Sequence, residues 1–565
     1  MASANSSNPF FFAFISLVCF FFFFVENKPF VSAITRKEYS ELQHTHHHIP
    51  LSSLFPSSSC SSLPPGRSRK GSLEVVHKHG PCSKLMKQHT SSSVKAPLTV
   101  PHSEILGQDK ARVRAIQSKL WEGQSEAREG DGRSATSEVS GQVAAPAEAP
   151  LPARSGKILG SGDYFVRVGL GTPARELSLI FDTGSDLTWT QCLPCDGSCY
   201  TQNDTIFDPS HSSSYSNIPC SSSQCSQLSS ATGIEQKCSA DGCLYHTKYA
   251  DGSSSTGNLA NETLTITQTH VVDNFLFGCG HDNKGLFNGT AGLLGLGRNP
   301  ISFVQQTSDM FHRIFSYCIP STASEVGYLT FGGVPASDNI IYTPFSSIPQ
   351  SSSVYALDLT GISLAGASLS IPSSVFSSFR VLIDSGTVLT WLPQAAYGPL
   401  RDAFRNAMSK YPMAGSFAEL DTCYDLSGYE TVVIPKVTLS FGGGVNVNLD
   451  ASGVVYVVSE TQVCLAFATN EHLVDIAILG NVQQKTIEVV YDVGGGRIGF
   501  RSASCGGNSR FSTGSANLNN STGSANLNHP NLIWMIAAIL SLNSQITTLR
   551  LSTSQSPQIN YNDYD

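Results

Sequence analysis

Charge is scarce in this chain: only 14% of its 565 residues are Asp, Glu, Lys or Arg, while glycine, at 48 residues, is abundant. Together with plentiful Ser, Thr and Val, that balance favours a β-rich secreted protein over a helical one. Clustered basic residues are also missing. The run Arg67-Ser68-Arg69-Lys70 is too short to form a basic face, so no nucleic-acid partner is expected. Long apolar runs are missing as well. The aromatic block at residues 9–25 ends at Glu26 before reaching the twenty or so residues a bilayer demands, and Val31-Ser32-Ala33 follows as a small-residue cleavage pattern. Residues 1–33 are therefore read as a signal peptide, although their start lacks Lys and Arg. The apolar block at 532–540 is too short to span, and polar residues continue beyond it to Asp565, so neither a stable membrane anchor nor a lipid-anchor signal is expected.

What is present is a repeat. Ile180-Phe181-Asp182-Thr183-Gly184-Ser185 and Leu382-Ile383-Asp384-Ser385-Gly386-Thr387 are two apolar runs, each ending in Asp-(Thr/Ser)-Gly-(Ser/Thr). One such tetrad is ordinary turn chemistry. Two copies about 200 residues apart suggest a duplicated half that brings two carboxylates together on a pseudo-twofold axis. Ala291-Gly292-Leu293-Leu294-Gly295 and Ile476-Ala477-Ile478-Leu479-Gly480 extend the echo, each an apolar strand whose glycine would allow close passage beside an aspartate loop.

Two facing acids have a specific use. Like charges a few ångströms apart do not both ionise cheaply, so the pair shares a proton and splits into a low and a raised apparent pKa. The ionised member acts as general base on a water between them, and the protonated member polarises a scissile carbonyl. That chemistry needs neither cofactor nor metal. Gly184 and Gly386 would offer backbone N–H groups to the inner carboxylate oxygens, and Ser185 and Thr387 hydroxyls to the outer ones.

From about Gly162 to Cys505 the chain resembles the pepsin-type aspartic proteases, and within them the plant nepenthesin-like branch. The resemblance implies an all-β-dominated, bilobal acid-protease fold with pseudo-twofold lobes and a central cleft. It also implies an aspartic endopeptidase whose catalytic pair is Asp182 and Asp384, with Thr183 and Ser385 bracing the loops across the lobe interface. The segment from His246 through Gly252 to Ile266 reads as a β-hairpin with a Gly/Asp turn. It matches the family's substrate-covering flap, with Tyr249 leaning over the cleft and Trp189, seven residues after the first aspartate, hydrogen-bonding it. Ala250 stands where many relatives have glycine. Expected partners are protein or peptide substrates, bound extended, and pepstatin-type inhibitors; a monomer is expected. The other class weighed is a non-catalytic binding or inhibitor protein on the same fold, which the intact pair argues against.

Twelve cysteines fall in the presumed mature region: Cys192, Cys195, Cys199, Cys220, Cys225, Cys238, Cys243, Cys279, Cys318, Cys423, Cys464 and Cys505. An even number in a secretory chain suggests six disulfides. Seven of them crowd into 192–243, a polar insertion with too few apolar residues to hold itself, as in the nepenthesin-like branch. Zinc at Cys192-Leu193-Pro194-Cys195 is the competing reading. Resemblance makes Cys423–Cys464 a plausible bridge and leaves the other pairs open; Cys82 is either free or paired with Cys60. Asn203, Asn261 and Asn288 begin glycosylation triplets, as does Asn520.

The expected organisation is a signal peptide (1–33), prosegment and linker (34–155), N-terminal lobe (156–345), C-terminal lobe (346–505) and a low-complexity tail (506–565) that repeats Ser-Thr-Gly-Ser-Ala-Asn-Leu-Asn. The prosegment reads as helical around Glu104 to Trp121, and its stretch from Leu73 to Cys82 resembles the prosegments of chloroplast-nucleoid DNA-binding-type proteases. Residues 34–155 hold 16 basic against 11 acidic residues, a net +5; residues 156–505 hold 16 against 29, a net −13. Opposite signs suggest a proform held by ion pairs and activated by acid. His44-Thr45-His46-His47-His48 is read as a solvated segment, with metal binding or pH sensing as the sharper alternative. The secretory pathway is the expected route, ending in the extracellular space or vacuole rather than the plastid.

Overall fold

In the computed structural model the described residues are 44–61, 72–83, 102–129 and, with short breaks, 164–505. Residues 1–33, expected as a signal peptide, residues 130–163, which include the end of the expected prosegment and linker (34–155), and the repeat-bearing tail lie outside them. The fold is the mostly β, two-lobed acid-protease fold. Each half builds its aspartate loop in the same way. In the first, strand Arg175–Asp182 pairs parallel with Gly292–Gly295, which lies antiparallel to Trp189–Gln191. In the second, Arg380–Ile383 pairs parallel with Ile476–Leu479, and Trp391 faces Ile478 antiparallel. Beyond their charged first residues the aspartate-bearing strands are buried and largely apolar, as is Ile476–Leu479, because both their faces are covered.

Glycine is required where the returning strand meets the loop. A Cβ on Gly295 would stand 2.2 Å from the Asp186 carbonyl oxygen, and one on Gly480 would stand 2.3 Å from that of Leu389. Neither site tolerates a side chain without displacing backbone.

A long sheet joins the halves, and part of it comes from ahead of both. Strand Ser72–His77 lies between Val326–Phe331 and Tyr164–Leu170, antiparallel to each, with Leu73, Val75 and Val76 buried. The histidine run is likewise ordered. His46–Pro50 forms a strand against Thr431–Pro435, and His47 Nε2 lies 3.0 Å from the Leu449 carbonyl oxygen. The solvated-segment reading of that run is thus corrected: every second residue of a strand faces the protein, and distant pairing partners are invisible in a local window.

The twelve cysteines form six disulfides: 192–279, 195–199, 220–238, 225–243, 318–505 and 423–464. Three close within the polar insertion and one ties it to strand His270–Lys284. With Cys192 and Cys195 both bridged, the zinc reading falls. Cys60 pairs with Cys82. No helix among the described residues is long and apolar enough to cross a membrane.

The inserted strand carries its own response to acid. The His77 ring sits edge-on to Tyr164 at 5.1 Å and to His79 at 5.7 Å, and the charged groups around the two are Lys78, His102 and Lys485. His79 Nε2 is buried with no hydrogen-bond partner. Burial first, and this cationic company second, hold the His77 imidazole well below its ordinary 6.5 and push His79 down to about 3. A histidine whose folded pKa is depressed supports the docked state above its unfolded pKa and withdraws that support as pH falls. Docking of the strand is therefore full above pH 6.5 and weakens progressively toward pH 3. Hydrogen exchange at the amides of 72–77, corrected for intrinsic rates, should lose protection across this window, and His77→Gln/His79→Gln should move the loss about one pH unit lower. Protection that is flat with pH, or unchanged in the double variant, contradicts this.

Candidate active site

The two aspartate loops meet across the lobe interface. Thr183 N–H donates to Ser385 Oγ at 3.2 Å, and Ser385 N–H donates to Thr183 Oγ1 at 3.0 Å. This reciprocal exchange fixes the loops against each other, and each hydroxyl satisfies a buried amide of the other half. Gly184 N–H donates to Asp182 Oδ1 and Gly386 N–H to Asp384 Oδ1, both at 3.0 Å. Both aspartates are buried.

The outer oxygens differ. Thr387 Oγ1 donates to Asp384 Oδ2 at 2.6 Å, whereas Ser185 Oγ and Asp182 Oδ2 are both buried without hydrogen-bond partners. The expected symmetry of hydroxyl support therefore holds on one side only.

An arginine breaks that symmetry. Helix His102–Glu129 lies in the cleft and projects Arg112 between the carboxylates. Arg112 Nη2 donates to Asp182 Oδ1 at 2.8 Å and to Asp384 Oδ1 at 3.0 Å, while Nε donates to Asp384 Oδ2 at 3.0 Å. Asp384 is gripped by two guanidinium nitrogens and Asp182 by one. Burial raises the Asp384 pKa, with the Arg112 charge acting against that rise and Asp182 adding to it. The guanidinium stands where a water would have to bridge the acids. Its planar fork suits two carboxylates at once, which a lysine ammonium would serve less well.

Other described side chains of the helix pack on the second half. Ile105, Leu106 and Val113 join a buried cluster with Leu382, Val388, Leu389 and Trp391. Lys110 pairs with Glu419 at 2.7 Å, Gln117 Nε2 donates to the Ile476 carbonyl at 3.1 Å, and His102 Nδ1 lies 2.8 Å from the Tyr456 hydroxyl. Asp109, fully enclosed one turn before Arg112, accepts from Val388 N–H, Leu389 N–H and Trp391 Nε1. Burial pushes its carboxyl up to about 6, against the lowering effect of those donors. A raised carboxylate pKa works in the sense opposite to the histidines, favouring the docked helix as pH falls below 6.

Sequence reasoning placed a helix here but singled out neither Arg112 nor Asp109. A signal existed: at helical spacing they fall on the face of Ile105, Leu106, Val113 and Gln117, and charged residues on an otherwise apolar stripe call for buried partners.

Strands Gly242–Lys248 and Ser254–Thr267 form the expected hairpin. Trp189 Nε1 donates to the Tyr249 hydroxyl at 2.7 Å, and Tyr249 and Trp189 both sit edge-on to Phe287. The turn is closed by Gly252 N–H donating to the Tyr249 carbonyl at 3.0 Å, with Gly252 at φ +83°. Ala250 and Asp251 at its tip lie outside the described residues. Asn203 and Asn261 are partly exposed, and Asn288 lies outside the described residues.

Comparison with known proteins agrees with this architecture. The chain is 50% identical over 461 residues to an aspartyl protease family protein of Arabidopsis thaliana, covering 81% of this chain and 93% of the relative. The chain belongs to the aspartyl protease family. It is an aspartic-type endopeptidase by that membership. A second Arabidopsis relative, aspartyl protease AED1, is 46% identical over 459 residues, covering 81% of this chain and 92% of the relative. Aspartic proteinase nepenthesin-2 of Nepenthes gracilis is 38% identical over 357 residues, covering 61% and 79% respectively. Two family descriptions also match: "Xylanase inhibitor N-terminal" over residues 164–333 and "Xylanase inhibitor C-terminal" over residues 354–502.

In this aspartyl protease the arginine forms hydrogen bonds to both acids, each such charged bond being worth ~1.5–3 kcal/mol. Arg112→Gln in the full chain should raise peptidase activity near pH 5.5 by about tenfold or more, measured before any N-terminal cleavage is visible on a gel. Unchanged silence of the variant would count against the arginine as the block.

Proposed function

We propose that the chain is made as an inactive proform and becomes an acid-acting endopeptidase with Asp182 and Asp384 as its catalytic pair. The observation that carries this reading is the meeting of the two Asp-(Thr/Ser)-Gly loops around one guanidinium. Their carboxylates lie within 3.0 Å of Arg112 nitrogens, close enough to share a water or a proton once the arginine leaves.

With the cleft open, the ionised carboxylate takes a proton from the bridging water as it attacks the peptide carbonyl. The protonated carboxyl donates to the carbonyl oxygen, and the proton then passes to the leaving amine. Thr183 and Ser385 hold the loops in register. Gly184 and Gly386 N–H groups stabilise the ionised forms, and Thr387 steadies Asp384. Tyr249, fixed by Trp189, closes over an extended peptide bound through its backbone. Sharing one proton between the acids sets the working range on the acid side of neutral.

Six disulfides in the catalytic unit, with a seventh between Cys60 and Cys82, support maturation in an oxidising compartment and hence a secretory or extracellular setting. The match to xylanase-inhibitor families favours one other reading, a binding protein on the same fold. Activity separates the two. Protein secreted from a eukaryotic host and freed of its N-terminal segment should cleave a generic quenched peptide between about pH 2.5 and 6. That activity should be blocked by pepstatin and lowered by at least ~10³-fold in Asp384→Asn. A folded, segment-free protein without activity would favour the binding role.

A further inference from the structure

The two halves place a tryptophan at the same step, seven residues after each aspartate. In the first half the Trp189 indole N–H is taken by Tyr249 of the same half, at 2.7 Å. In the second, the Trp391 indole N–H is taken by a residue of the segment that has to leave: it donates to Asp109 Oδ2 at 2.9 Å. Leu389 N–H donates to the same oxygen at 3.1 Å, and Val388 N–H donates to Asp109 Oδ1 at 2.6 Å.

Three converging donors, two of them backbone, fill both oxygens of one carboxylate. Val388, Leu389 and Trp391 are all buried, and Asp109 is fully enclosed among them. A carboxamide in the same position would turn an NH₂ group toward a donor. When the helix withdraws, the donors remain on the cleft wall. They belong to the loop and strand that follow Asp384, so rigid covalent structure keeps them there.

We propose that this three-donor pocket is a subsite of the mature protease that binds an acidic side chain of the substrate, Asp109 being its occupant in the proform. The proposal rests on the protease reading above. Asp109 precedes Arg112 by three helical residues, a rise of about 4.5 Å. A substrate strand advances ~3.3 Å per residue, so the pocket lies within a few residues of the scissile bond. Preference for an acid there adds to whatever apolar preference the adjoining walls confer. The bound carboxylate replaces one buried charge-assisted interaction with another, and leaving the donors empty sacrifices their hydrogen bonds unless water supplies an acceptor.

The test uses the activated enzyme near pH 6, at the upper end of its working range, where free glutamate is ionised and a carboxyl held as Asp109 is in this pocket is about half ionised. A cleavable apolar reference peptide is varied one position at a time, across four residues on each side of the cut, as Glu, Gln and Leu versions. At one position Glu should exceed Gln in kcat/KM by about tenfold, mainly through KM. In Trp391→Phe the Glu/Gln ratio at that position should fall toward unity, whatever the variant's absolute rate. As a second measurement, Asp109→Asn in the full chain should speed release of the N-terminal segment. Cleavage of the reference peptide with no position preferring Glu, or a ratio that survives in Trp391→Phe, overturns the subsite while leaving the protease reading intact. An enzyme that cleaves none of the peptides overturns both.

Discussion

Two carboxylates buried side by side are the constraint around which this molecule is arranged. Burial, with the neighbouring acid adding to it, disfavours ionisation of Asp384, and both carboxylates need donors. The loops supply some of these through Gly184, Gly386 and Thr387, and the Thr183–Ser385 exchange holds the two halves at the distance that makes the acids a pair. Arg112 completes the set by placing a permanent cation between them. A buried ion group of this kind is specific more than it is stabilising, because desolvation of the charges opposes their attraction. Its effect is on access: while the guanidinium is there, substrate and water are not.

That local grip is supported over a wide area. Strand Ser72–His77 is built into the sheet joining the halves, and helix His102–Glu129 is buried against the second half through Ile105, Leu106 and Val113. Between the strand and the helix, protonation acts in opposed senses: His77 and His79 withdraw support as acid rises, while Asp109 resists release. His77 at the end of the strand and His79 just after it thus add histidine charging, favouring release at low pH, to the loss of carboxylate pairs suggested by the opposite net charges of the two segments, with Asp109 acting against both.

Much of this was legible in the sequence because it was written locally. The paired tetrads, the apolar strands leading to Gly295 and Gly480, and the Trp189–Tyr249 spacing each occupy a few consecutive residues or a fixed offset. The even cysteine count pointed to six bridges, though only Cys423–Cys464 was suggested as a pair, since bonding partners lie up to 187 residues apart. What the sequence did not yield depends on distant partners. Strand Ser72–His77 looks like any short alternating stretch until Val326–Phe331 and Tyr164–Leu170 lie beside it. The histidine run becomes a strand only through Thr431–Pro435. Among Lys110, Arg112 and Arg114, helical phase relative to Leu106 and Val113 selects Arg112, but nothing local says that this face of the helix enters the cleft.

Arg112 and the aspartate pair act as one unit. A double-mutant cycle in the full chain tests it without recourse to activity: Arg112→Gln, Asp384→Asn and the double variant, each read by hydrogen exchange over helix residues 105–117 at neutral pH. The expected coupling free energy is about 2 kcal/mol, the double variant being far less destabilised than the sum of the single changes. Additive effects would mean that the guanidinium and Asp384 do not hold each other, and would contradict the account.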